Sequence, residues 1–184
     1  EALPESLCAN EDVVFPAVHG TFGEDGSLQA LLEEAGFSYC GSGVEASRLC
    51  MNKAWAKDKA SALGLRVPRD LRFSDPAALD PAEVTAKLGE QLILKPTDQG
   101  SSVALHIING RENLTSILQG LTSGNWLVEE RITGREMSVG ILQGHSLGIV
   151  EIIPEGGVYD YQRKYTPGST FYKFPAILDP EIES

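Results

Sequence analysis

The chain has 184 residues, 42% of them hydrophobic, enough for one sizeable core or for two small lobes. Fifteen Lys and Arg stand against 26 Asp and Glu, a formal net charge of -11, which argues against a general attraction to nucleic acid or to an anionic membrane surface. An anionic ligand must therefore be met by locally placed cations. Cys8, Cys40 and Cys50 are odd in number, lack zinc-site spacing and read as structural thiols in a reducing compartment. No apolar run reaches membrane-spanning length and no basic-then-apolar leader occurs, so the reading is a cytoplasmic protein.

"DVVFPAV", Asp12 to Val18, has the pattern of a buried strand and ends in the glycine-rich turn "HGTFGEDGS". Leu28, Leu31, Leu32 and Ala35 then share one helical face, with Gly36 as the stop. A short strand "FSYC" leads into an alanine-rich helical stretch that runs to Gly64, with a break near Met51 or Asn52. A strand "RDLRFS" follows, then a helix opened by Asp80 and Pro81, with Glu83 at capping-box spacing, and ending at Leu88. "EQLILKP" and "SVALHII" are predicted strands, "RENLTSILQGL" a helix and "NWLVEE" a third strand. "EMSVGIL" and "SLGIVEII" flank the turn "QGHS" as an antiparallel hairpin. The stretch Pro154 to Ala176, rich in Gly, Tyr and Lys, reads as a long functional loop.

Several residues invite chemistry. "GSGVEA", Gly41 to Ala46, imitates a dinucleotide fingerprint, but the second strand with its acidic end is missing, and no GxxxxGK[ST] phosphate loop occurs. His19, His106 and His145 have no mutual spacing suited to a metal; His106 and His145 read as structural. Lys95 closes an apolar strand, where an unpaired ammonium is costly to bury, and Lys53 lies at the helix break; a phosphate would satisfy both. For any lysine the alternative is a solvated surface position. The turn "DQGSS" around Gly100 offers successive backbone N–H groups and the hydroxyls of Ser101 and Ser102 to phosphate oxygens. Glu129 and Glu136 flank a glycine bend. Their carboxylates suit the amino or hydroxyl groups of a nucleoside, and the competing reading is a solvated strand edge.

Taken in order, "HGTFGEDGSLQALLEEAGFSYCGSGVEAS", "MNKAWAK", "LILKPTDQGSSVAL", "LVEERITGREMSVGIL" and "YDYQRKY" resemble bacterial D-alanine:D-alanine ligases of the ATP-grasp superfamily. The resemblance implies an α/β to α+β chain: residues 1–41 the end of an N-terminal substrate domain, 42–132 a central ATP-grasp lobe of antiparallel strands and helices, and 133–184 the start of a C-terminal lobe. It implies that Lys53 and Lys95 hold the phosphates of ATP, and that Ser101 and Ser102 lie on a mobile covering loop. Glu129 would face the adenine amino group, Ile132 would offer backbone contacts, and Glu136 would hold the ribose hydroxyls. His19 and Glu24 would lie beside D-alanine, while Lys164, approaching the terminal phosphate, and Tyr165 would cover the reacting centre.

The implied partners are D-alanine and ATP, with pairing of the intact protein into a homodimer. Magnesium is the implied metal, its ligands expected outside this chain, so that the chain alone is not expected to form the dipeptide. Arg131 stands where the family often has a large apolar residue, and Ala104 where glycine usually follows "GSSV". Two other readings stay open: another ATP-grasp ligase, such as one making D-alanyl-D-lactate, or a non-catalytic nucleotide-binding module.

Overall fold

The computed structural model describes residues 8, 9, 11–157, 159 and 161–179. The chain forms two compact units that divide between Glu130 and Arg131.

The first unit opens with β1 (Val13–Val14), far shorter than the predicted strand, paired in parallel with β2 (Ser38–Tyr39). Val13 and Phe15 are exposed rather than buried, because β2 is the only neighbour of β1 among the described residues. Between the two strands runs α1 (Ser27–Glu34), which buries Leu28 and Leu32. Its cap, Gly26, has φ +88°, and a Cβ there would sit 2.7 Å from the Val44 carbonyl oxygen, so only glycine fits without a shift.

The predicted helix break is present: α2 (Val44–Met51) stops and α3 (Lys53–Ala62) restarts one residue later. Asn52 makes the restart possible, its side-chain oxygen accepting from the N–H groups of Ala54 and Trp55 at 3.0 and 3.1 Å. Next come β3 (Asp70–Phe73) and α4 (Pro81–Leu88), whose Asp80 cap accepts from the Ala82 N–H at 2.9 Å. Glu83 lies 3.9 Å from Lys87, one turn along that helix.

The strands β4 (Gln91–Pro96), β5 (His106–Asn109) and β6 (Trp126–Glu130) complete an antiparallel sheet of order β3-β6-β4-β5, with α5 (Arg111–Gly120) between β5 and β6. Alternation gives the sheet two unlike faces. On one, Leu92, Leu94, Ile108, Trp126 and Val128 pack with Val84 and Leu88 of α4 and Leu114 and Leu118 of α5. Each fully buried leucine there contributes roughly 1.5–3 kcal/mol. On the other face the register sets Asp70 opposite Glu129 and Arg72 opposite Leu127, with Lys95 also opposite Leu127.

The predicted strand over "SVALHII" is shorter than its pattern suggests. Ser101, Ser102 and Ala104 have φ of +52°, +57° and +51°, a left-handed path incompatible with a strand, so β5 begins only at His106.

In the second unit β7 (Glu136–Leu142) and β8 (His145–Pro154) form the expected hairpin. Gln143 and Gly144, at φ +50° and +79°, make the tight two-residue turn whose twist suits paired strands. The predicted loop from Pro154 to Ala176 instead carries a short helix, α6 (Tyr161–Tyr165), and β9 (Thr170–Lys173), antiparallel to β8. The Thr170 hydroxyl and the Arg163 Nε tie that helix down, the first donating to the Arg163 carbonyl at 2.7 Å, the second to the Glu155 carbonyl at 3.0 Å. Val158 and Asp160 of the same stretch lie outside the described residues.

Cys8, Cys40 and Cys50 are free thiols, and all three are exposed. No helix among the described residues is long and apolar enough to cross a membrane.

Candidate functional site: an ion chain on the polar face of the sheet

The polar face of the first unit's sheet gathers most of the lysines singled out in the sequence. Helix α3 lies at it because the Lys53 backbone N–H donates to the Thr97 carbonyl at 2.8 Å, just past β4, and the Lys53 Nζ donates to the Gln99 carbonyl. Lys95, on β4, donates to Oε1 of Glu129 on β6. Oε2 of the same carboxylate accepts from Lys57 at 2.7 Å, and Lys57 also lies 2.8 Å from Asp70. Asp70 in turn meets Arg72 at 2.9 Å, and Arg72 grips Asp58 with two hydrogen bonds of 2.7 and 2.6 Å.

Six charges thus alternate in sign: Lys95, Glu129, Lys57, Asp70, Arg72 and Asp58. The side chains of Glu129, Lys57 and Asp70 are only 8%, 12% and 13% exposed, which excludes the solvated-edge reading of Glu129. Buried charge of this kind is tolerable because each group meets an opposite one. Hydrogen bonds from Arg72 hold the Asp58 carboxyl below the usual range, and bonding to Asp58 pushes the Arg72 guanidinium further up. Beside this chain the turn after β4 presents Ser101, exposed, and Ser102, half-buried, in left-handed backbone.

A second feature of the same unit is a cavity of about 340 Å³ lined by His19, Glu24, Gln29, Ser42, Cys40 and Cys50, among others. The turn that shapes it needs glycine at Gly23, where a Cβ would lie 2.1 Å from the Val18 carbonyl oxygen. Glu24 accepts from the Gly20 N–H at 2.6 Å, and its Oε1 lies 3.9 Å from the exposed His19 ring. Burial would raise the Asp25 carboxyl, but the N–H groups of Phe22 and Ser27 outweigh it and hold it below its ordinary value. Gln29 donates its Nε2 to the Gly23 carbonyl at 2.9 Å, while its buried Oε1 has no hydrogen-bond donor among the described residues.

The remaining candidates belong to the second unit. Ile132 is exposed ahead of β7, and Glu136 is the exposed first residue of that strand. Lys164 sits with its Nζ 5.2 Å from the Tyr159 ring centre, and Tyr165 packs its ring 4.8 Å from that of Tyr161. A hydrogen bond to Tyr172 pushes the Tyr159 phenol up to about 12. Among the described residues no three His, Cys, Asp or Glu side chains gather to hold a metal ion.

Residues 67–184 match the family described as "D-ala D-ala ligase C-terminus", and residues 2–42 match "D-ala D-ala ligase N-terminus". The chain belongs to the D-alanine:D-alanine ligase family. A D-alanine–D-alanine ligase of Geobacter sulfurreducens is 39% identical over 173 residues, which cover 93% of this chain and 54% of that relative. Among solved structures, the Bacillus anthracis D-alanine–D-alanine ligase complexed with ATP matches with TM-score 0.77 at 28% identity, over 94% of this chain and 55% of that one. The VanG D-Ala:D-Ser ligase from Enterococcus faecalis matches with TM-score 0.77 at 34% identity, over 94% of this chain and 52% of that one. The chain therefore spans about half the length of the curated relatives it matches. The ATP-grasp fold of mixed helices and antiparallel sheets expected from the motifs is the fold present.

Lys57 and Asp70 were not among the sequence candidates. Lys57 could have been found, since it stands four residues after Lys53 and so on the same helical face. For Asp70 the sequence carries no such signal, because its place opposite Glu129 depends on a strand register.

Proposed function

We propose that the chain is part of an ATP-dependent enzyme that joins two D-alanine molecules into D-alanyl-D-alanine for peptidoglycan. The observation that carries this reading is the cluster of Lys53, Lys95 and Glu129 beside a serine-bearing turn, in a chain of this family. Residues 1–41, 42–132 and 133–184 would serve as the end of the substrate domain, the central lobe and the start of the C-terminal lobe. ATP is the nucleotide, as in the Bacillus anthracis neighbour. Family resemblance gives Lys53 and Lys95 the phosphates, Glu129 the adenine amino group, Ile132 backbone contacts to the base and Glu136 the ribose. It gives Ser101, Ser102, Lys164 and Tyr165 the covering of the reacting groups, with Lys164 at the terminal phosphate, and gives His19 and Glu24 the D-alanine site. The intact protein would work in the cytoplasm as a homodimer.

The chemistry is carboxylate activation. A carboxylate oxygen of the first D-alanine attacks the terminal phosphorus of ATP, a new O–P bond forms, and the bond to the β-phosphate oxygen breaks to release ADP. The amine of the second D-alanine then attacks the acylphosphate carbon, phosphate leaves, and the amine loses a proton. Lysine ammonium groups offset charge on the moving phosphoryl group, and a covered site keeps water from the acylphosphate. Magnesium would be held by residues outside this chain, and no step above is assigned to it.

The test is release of ADP by the intact protein on addition of D-alanine, with the dipeptide detected by mass spectrometry. Lys95→Met should lower kcat/KM for ATP by about 100-fold or more. Unchanged kinetics would remove Lys95 from the site, and no D-alanine-dependent ADP would end the ligase reading. The identity of the second substrate is a separate matter, since the D-Ala:D-Ser neighbour matches this chain as well as the D-alanine ligase does. A panel of D-alanine, D-serine and D-lactate as acceptors decides it.

A further inference from the structure

The carboxylate of Glu129 is shared. One oxygen accepts from Lys95 and the other from Lys57 at 2.7 Å, and Lys57 is braced by Asp70 at 2.8 Å. The Lys57 side chain is 12% exposed and that of Lys95 is 21% exposed, so the inner lysine stays in the sheet face while the outer one keeps access to solvent. In a poorly solvated setting a glutamate with a single lysine partner would hold that ammonium strongly. With Lys57 on Oε2, the charge of Glu129 is divided between two cations.

We propose that Lys57 is a positioning residue for the nucleotide: it fixes the plane of the Glu129 carboxylate and weakens the hold of that carboxylate on Lys95. Lys95 can then turn its ammonium to a phosphate, and Glu129 keeps a lone pair for an exocyclic amino group. Asp70 supports this by holding Lys57 in place, and Asp70 is itself fixed through Arg72 and Asp58. Without Lys57, Glu129 would collapse onto Lys95, so that both the phosphate cation and the base acceptor would be lost together. The inference rests on the nucleotide role proposed above for Lys95 and Glu129.

The experiment compares ATP with inosine triphosphate, which carries an oxygen where adenine has its amino group, on the intact enzyme with saturating D-alanine. Lys57→Met should raise KM for ATP about tenfold or more and cut the ATP-over-ITP preference in kcat/KM by about the same factor, with KM for D-alanine moving less than about twofold. Lys57→Arg should restore most of both, because a guanidinium can bond Glu129 and Asp70 at once. General damage to the fold would lower both nucleotides alike and leave the ratio where it was. A ratio and an ATP KM within about twofold of wild type in Lys57→Met overturn the proposal. Should that variant fail to fold, Asp70→Asn carries the test in the same direction at about two- to fivefold, and an unchanged ratio there overturns it equally. Lys95→Met serves as the control: if it leaves KM for ATP unchanged, the nucleotide reading of this face falls first, and if it alone has an effect, only the role of Lys57 falls.

Discussion

The two sheets of this chain are held together in different ways. In the four-stranded sheet of the first unit, one face is sealed by leucines and valines beneath α4 and α5, and the other is closed by alternating charges. In the three-stranded sheet of the second unit, Glu151 is the one buried strand residue among those described, while Val139, Ile141, Leu142, Leu147, Phe171 and Tyr172 are exposed. That sheet relies on its backbone ladder and on Arg135, which grips both oxygens of Glu151 at 2.6 Å and reaches the Ile177 carbonyl at 3.0 Å. The lesson is that the polar face of the first sheet can hold buried charge because its other face supplies the apolar stability, whereas the second sheet has no such reserve among the described residues.

The largest expected effect tests that division directly. Leu94→Ala removes a fully buried side chain and should cost about 3–5 kcal/mol, whereas Leu147→Ala, at a half-exposed position of the second sheet, should cost less than about 1 kcal/mol. Denaturant unfolding of the two variants checks this. Equal costs would mean that the second sheet has a covered core as well.

The same contrast was only partly legible in the sequence. Alternation in "LILKP" and "WLVEE", the alanine-rich helix with its break at Asn52 and the "QG" turn are local signals, and each led to the element that is present. The apolar letters of "SVAL" suggested a strand, but three left-handed residues bend that stretch into a turn, and no side-chain pattern encodes such a path. Likewise α6 and β9 lie in a segment of Gly, Tyr and Lys without apolar periodicity, held by hydrogen bonds from Arg163 and Thr170 to backbone carbonyls. Of the site, Lys53, Lys95 and Glu129 were visible as chemically odd residues. The partnership of Glu129 with Lys57 and Asp70 was not, because it joins three elements distant in sequence, through the register of β3 on β6 and the placement of α3 against the sheet.

Acid sharpens the comparison at a middle level. Hydrogen bonds from Arg135 hold the Glu151 carboxyl below its ordinary value, as Arg69 does for Glu130 in the first unit. A carboxyl depressed in the folded state contributes stability that is present above its unfolded value and is lost as pH falls through the folded one. Both units should therefore weaken on acidification, the second at higher pH because, among the described residues, it has less apolar burial in reserve than the first. Both tryptophans, Trp55 and Trp126, lie in the first unit, so their fluorescence follows that unit alone, while amide hydrogen exchange resolved by strand follows β7 to β9. Exchange in the second sheet is expected to quicken before the tryptophan signal moves, and Arg135→Met should flatten its acid dependence. Simultaneous loss of both signals would show one cooperative structure.

The smallest expected effect lies in the turn after β4. Ala104 holds φ +51° without the freedom of glycine. The left-handed conformation costs an alanine roughly 1 kcal/mol, and glycine removes that strain but adds freedom to the unfolded chain. Ala104→Gly should accordingly stabilise the first unit by no more than about 0.5–1 kcal/mol, far less than Leu94→Ala removes. Its effect belongs in the turn itself, where amide exchange at Ser102 to Leu105 should change while the strands keep theirs. If Ala104→Gly instead destabilised the unit by a full kcal/mol or more, about the cost of a lost contact, the methyl group would have a packing partner and the backbone there would not be strained.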